Sequence, residues 1–172
     1  MGTILEKVAL QQTVECRGEQ VCVEFDRGYT TKHLWSKATP EGNLKIGVTD
    51  YAQKFLKKKV ALIEFMKNYT IGDEIEKDEI FCVVYGRIYA DPKTSRYECM
   101  AFDMFAPVKG TIIEVNQAIM DKPQLVNDDC YGKGWIIVIK PKKWWKSASN
   151  FLEPIKYVKW LKNEEQSPFR VL

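Results

Sequence analysis

The 172-residue chain predicts a mainly β fold, a barrel or sandwich with short helices and one further helix near its C-terminus. Two observations carry this. From Tyr29 onward, turn-forming clusters recur at short intervals: TPEGN at 39–43, TIGDE at 70–74, ADPKTS at 90–95, APVKG at 106–110 and YGKG at 131–134. Between them lie short runs rich in β-branched and aromatic residues, the pattern of sandwiches and barrels.

Residues 1–26 read as an N-terminal extension, a strand pair built from KVALQQTVECRG and EQVCVEF. The alternation in QVCVEF is strand-like, because every second side chain of a strand points to one face. LKIGV is the next clear strand, and TDYAQKFLKK predicts a short helix with a capping residue and with Tyr51 and Phe55 on one side. VALIEFM, IFCVVYGRIYA, YECMAFDMF, TIIEV and WIIVIK supply further strands, and NQAIMDKPQLVNDD a second short turn or helix ended by Pro123. Leu152, Ile155, Val158, Trp160 and Leu161 fall near helical spacing, with Pro154 tolerated in the first turn.

Bulk properties narrow the function. With 45% hydrophobic and 12% aromatic residues, the chain buries one sizeable core. Its longest apolar run, WIIVI at 135–139, is far short of the ~20 residues of a membrane span. Neither a leader nor a lipidation pattern is evident, so a cytoplasmic protein is expected. The five cysteines contain no C-x-x-C pair, which argues against structural zinc. Cys16 and Cys22 flank RGEQV, so a small hairpin could bring them together; two half-buried free thiols is the reading favoured in a reducing compartment. His33 is the one histidine and is expected to cap or pack beside Trp35. No phosphate loop, H-x-x-x-H pair or nucleophile elbow occurs, and the chain is not expected to be an enzyme. Seven lysines between Lys140 and Lys162, interleaved with Trp144, Trp145, Tyr157 and Trp160, offer a nucleic-acid reading, ranked below a helix with a solvated lysine face.

Five motifs in register carry a resemblance: YTTKHLW (29–35), KIGVTDYAQKFL (45–56), IGDEIEKDE (71–79), FAPVKGTIIEVNQAI (105–119) and KPQLVNDDCYGKGWIIVIKP (122–141). Over roughly residues 27–146 the chain resembles the H protein of the glycine cleavage system, with 147–172 left as a C-terminal helix and tail. The resemblance implies a flattened barrel-sandwich hybrid of the lipoyl-domain type. It also implies a carrier with no active site of its own, whose lipoyl group on a hairpin lysine moves between partner enzymes.

The chain departs from the family at that hairpin. The family's short E-S-V-K-A hairpin puts its lysine at Ile88 when aligned forward from Val83, and at Cys99 when aligned backward from FAPV. Neither is a lysine, and the offset, 99 minus 88, is an insertion of 11 residues. YGRIYA and SRYECMAF are β-forming and flank DPKT, which suits a tight turn. Pairing Asp91 with Thr94 sets Arg87 opposite Glu98 and Tyr85 opposite Met100, lengthening the hairpin by about 17 Å at ~3.3 Å per residue. The odd count also calls for a bulge or an altered turn.

Lys93 then sits at the tip. The expected function is a protein-binding adaptor in a multi-subunit complex, without the lipoyl-lysine and without a cofactor. Tyr85, Tyr89, Tyr97, Met100, Phe102 and Met104 are its expected partner-binding residues. The alternative is a true carrier with covalent lipoate on Lys93, in glycine cleavage or another lipoate-dependent pathway. Whether the ribbon instead folds back on the N-terminal extension or the C-terminal helix stays open.

Overall fold

A computed structural model describes residues 10–56, 60–144, 148–163 and 169–171. Two sheets enclose the main core. One has six strands: β3 (Gly28–Tyr29), β4 (Leu34–Ala38), β5 (Leu44–Val48), β13 (Ile137–Pro141), β12 (Gly110–Val115) and β7 (Glu74–Ile75), in that spatial order. The other has four: β14 (Phe169–Val171), β11 (Met100–Phe105), β8 (Ile80–Gly86) and β6 (Val60–Phe65). Alternation along the strands sends Ile46, Ile139, Ile112, Val84, Phe102 and Met104 into one buried cluster between the sheets. The result is the β architecture expected from the sequence.

Helices plug the connections. Helix α1 (Asp50–Phe55) follows β5, and the Thr49 hydroxyl accepts from the Ala52 N–H at 3.3 Å, as an N-cap should. Helices α2 (Ala118–Asp121) and α3 (Leu125–Asp128) lie on either side of Pro123 and bury Ile119 and Val126. The Asn116 amide donates to the carbonyls of Lys133 and Trp135, at 2.9 and 2.6 Å, pinning that segment to the YGKG turn.

The N-terminal extension forms a hairpin, β1 (Gln11–Cys16) paired with β2 (Glu19–Glu24). Its inward face, Val14, Cys16, Val21 and Val23, builds a second buried cluster with Tyr29, Trp35 and Tyr51 and with helix α4 (Pro154–Asn163). The extension is thus packed against the six-stranded sheet and α4. Cys16 pairs with Glu19 and Cys22 with Thr13, so the two thiols lie on opposite faces, and all five cysteines are free. The proximity of Cys16 and Cys22 raised by their spacing is therefore excluded by the strand register.

Helix α4 buries Tyr157, Val158 and Leu161, whereas Ile155 points outward. The segment leading into the helix sets this orientation: Leu152 and Tyr29 exchange backbone hydrogen bonds of 2.6 and 3.0 Å, which turns the Tyr157 face onto the sheet. Tyr157 stacks on Tyr29 with ring centroids 4.4 Å apart and planes at 4°. Its hydroxyl meets His33 Nδ1 at 2.9 Å, while the His33 ring stacks on Tyr51 at 4.1 Å. His33 is fully buried at φ 59°, a structural histidine two residues from Trp35.

Candidate functional site: the extended hairpin

Strands β8 and β11 form the stem, pairing Val83 with Asp103, Val84 with Phe102 and Tyr85 with Ala101. Beyond the stem, β9 (Tyr89–Ala90) and β10 (Tyr97–Glu98) form a two-stranded ladder of their own, Tyr89 opposite Glu98 and Ala90 opposite Tyr97. Between the two ladders, Gly86, Arg87 and Ile88 on one arm face Cys99 and Met100 on the other, one residue more on the first arm. This is the bulge that an odd insertion demands.

The register expected from the sequence is corrected here. Glu98 faces Tyr89 rather than Arg87, and Tyr85 faces Ala101 rather than Met100. The connecting loop has four residues, 92–95: the Asp91 N–H donates to the Arg96 carbonyl at 2.8 Å and the Ser95 N–H to the Asp91 carbonyl at 2.9 Å. The cause is Pro92. A two-residue hairpin loop needs positive φ at its first central residue, which proline cannot supply. The chain instead uses the Asp91 carboxylate, which accepts from the Lys93 N–H at 2.7 Å, and places Ser95 at φ 57° to close the loop.

The six expected partner-binding residues separate into two groups. Phe102 and Met104 belong to the core between the sheets, because β11 directs alternate side chains inward, and they offer no surface to a partner. Met100 is half-buried against the same core. Tyr85 and Tyr89 are half-buried, their hydroxyls donating to Glu64 at 3.1 Å and Glu98 at 3.0 Å. Burial and the Glu98 carboxylate both push the Tyr89 phenol above its ordinary pKa. Tyr97 alone of the six is widely exposed, at 80%. Ile88, at 71%, joins it as an apolar side chain in solvent, and the bulge that presents it was foreshadowed by the odd insertion length.

The outer edge of β11 is covered. Strand β14 pairs with it antiparallel, Val171 with Met100 and Phe169 with Phe102. This contact is not among the sequence-based expectations; its only signal is the short β-forming run at 169–171 in an otherwise polar tail.

The basic segment also divides. Tyr157 is core, Trp160 is half-buried and stacked on Tyr157 at 6.0 Å, and Trp145 and Lys146 lie outside the described residues. Among the described aromatics of 140–162, Trp144 is the one that is exposed, so the described residues assemble no alternating stacking surface of the kind a nucleic-acid site needs.

Two facing sheets with an exposed hairpin at one end define a barrel-sandwich module of the lipoyl-domain class. A family model described as "Glycine cleavage H-protein" matches residues 27–164, and the chain belongs to that family. It is 36% identical over 143 residues to the glycine cleavage system H protein of Carboxydothermus hydrogenoformans, covering 83% of this chain and 96% of the relative. The Thermus thermophilus glycine cleavage system H protein is 42% identical over 118 residues, 68% of this chain and 79% of the relative. A crystal structure of the Mycobacterium marinum H protein superposes with a TM-score of 0.55 at 29% identity, covering 70% of this chain and 87% of that one. The family is non-catalytic, a carrier rather than an enzyme.

Lipoate is joined to such carriers through an amide on a lysine amine. At the register that the sequence resemblance implies for the family's lysine, this chain holds the branched hydrocarbon of Ile88 and the thiol of Cys99, which donates to the Gly86 carbonyl at 3.1 Å. Neither side chain fits that linkage. The amine of Lys93 lies beyond the second ladder, on the exposed loop.

Proposed function

We propose that this chain is an H-protein-family adaptor that works without a lipoyl arm and binds protein partners of a larger assembly through its extended hairpin. The observation that carries the reading is the pair Ile88 and Cys99 at the hairpin bulge, where the family places its lysine. Support comes from the exposed Ile88 and Tyr97 beyond the stem: apolar groups held in solvent on a projecting ribbon are a common mark of a partner surface. The cytoplasm is its proposed compartment; no helix among the described residues is long and apolar enough to cross a membrane.

A second reading rests on Lys93, exposed on the loop at the hairpin tip, as a relocated lipoylation site. One experiment separates the two. The intact mass of the protein from its native cells, with peptide mapping across Tyr89–Tyr97, is expected to show an unmodified chain. A lipoyl increment on Lys93 would establish the carrier instead.

A further inference from the structure

At the root of the hairpin, the end opposite its tip, a groove of about 430 Å³ opens on the surface. Four lysines ring it, Lys77, Lys109, Lys142 and Lys143, and Val108 and Pro141 contribute its apolar wall. Three separate segments bring these lysines together: the turn before β8, the turn before β12 and the end of β13. The turns are locked to one another, since the Asp78 N–H donates to the Ala106 carbonyl and the Ala106 N–H to the Glu79 carbonyl, both at 2.8 Å. The rim is therefore held by backbone, not by mobile side chains alone.

Two of the lysines already hold carboxylates of the same chain. Lys109 Nζ is 2.6 Å from Glu76 and Lys142 Nζ is 3.2 Å from Glu74, and the Glu76 contact holds the Lys109 amine above its ordinary pKa. Among the described residues, no ion pair engages Lys77 or Lys143, which leaves the rim with two ammonium groups in excess of its carboxylates.

We infer that this groove docks a short acidic segment of a partner protein, its carboxylates on Lys77 and Lys143 and a small apolar side chain against Val108 and Pro141. Charge complementarity selects an anion, and the wall selects its class. No aromatic ring among the described residues lines the groove, and its size suits one or two side chains rather than a nucleic-acid backbone. Rim lysines of this kind set encounter rate and choice of partner more than final affinity, so the complex weakens with salt. Along the strands from Tyr97 to Phe105 the hairpin runs roughly 26 Å at ~3.3 Å per residue, so the groove and the hairpin tip are separate surfaces. The inference stands apart from the adaptor reading, and an adaptor with this groove would have two poles.

The test uses the full chain and fluorescence anisotropy with a labelled short peptide of alternating glutamate and valine at low salt. Wild type is expected to bind, and Lys77→Glu with Lys143→Glu to weaken binding about tenfold or more, the milder Lys→Gln pair about threefold. Lys156→Glu with Lys159→Glu on α4 makes the same charge change elsewhere and is expected to stay within about twofold of wild type. No binding by wild type, or equal losses in both Glu pairs, would overturn the inference. Tighter binding of an oligo-deoxythymidine than of the peptide would also overturn it and assign the patch to nucleic acid. Native mass of the hairpin peptide has no bearing on these outcomes, so this inference and the adaptor reading fail separately.

Discussion

The Cys99 thiol donates to the Gly86 carbonyl at 3.1 Å, tying the two arms of the hairpin together where the stem gives way to the outer ladder. Below that tie lies the stem of β8 and β11; above it lie the β9–β10 ladder and its loop. Removing residues 88–98 together with Cys99→Lys would rebuild a short hairpin with a lysine at the family's register. This variant is expected to accept lipoate from a lipoate–protein ligase, seen as a lipoyl mass increment, while the wild-type chain does not. Labelling of neither would show that the ligase's determinants outside the hairpin have changed as well.

Gly86 sits at the same tie for a steric reason. A Cβ there would press on the backbone carbonyl oxygen of Leu56, which follows helix α1, and backbone cannot move aside cheaply. Gly86→Ala is expected to lower stability by about 1–3 kcal/mol, measured by urea unfolding.

Tyr157 joins helix α4 to the sheet through its stack on Tyr29 and its contact with His33. Tyr157→Ala opens a cavity in the second core and is expected to cost about 3–5 kcal/mol. Tyr157→Phe keeps the stack and loses the hydroxyl contacts to His33 Nδ1 at 2.9 Å and Thr49 Oγ1 at 3.4 Å, for about 1–3 kcal/mol. Thermal unfolding of the two variants separates packing from hydrogen bonding.

Glu79 is the clearest acid-sensitive group. Lys67, the Glu76 backbone N–H and the Tyr69 hydroxyl all bind its carboxylate and pull its pKa from 4.5 down to about 2. A depressed carboxylate contributes stability above its unfolded pKa, and that contribution is lost as pH falls through the folded value. Wild type should therefore exceed Glu79→Gln in melting temperature at pH 6, and the gap should close between pH about 4.5 and about 2. Because Lys67 is largely exposed, salt should narrow the gap at neutral pH.

Strand β14 shields the β11 edge at Met100–Phe102. A chain ending at Asn163 uncovers those backbone groups, and unpaired edges invite other strands. Sedimentation is expected to show concentration-dependent association in the truncated chain beyond that of the full-length protein. Unchanged behaviour would mean that the edge is guarded by other means.

Much of the fold was legible in local pattern. Thr49 at the head of TDYAQKF marked α1, Pro123 marked the end of α2, and alternation in QVCVEF marked β2, because capping, proline geometry and side-chain period are short-range effects. The site was legible only in part. The need for a bulge follows from counting residues, whereas the loop register turned on whether Pro92 could enter a two-residue turn. A turn motif does not announce that choice unless φ is considered.

What sequence by itself determined, then, is the family and the β-rich plan, both properties of residue order. Tertiary structure alone decided which apolar hairpin residues are surface. Phe102 and Met104 are as hydrophobic as any partner anchor, yet they face the opposite sheet, while Ile88 and Tyr97 lie beyond its reach. It also decided that Lys77, Lys109 and Lys143, distant along the chain, share one groove. Burial and charge clustering depend on which segments meet in space, and those meetings are set by the pairing of strands far apart in sequence.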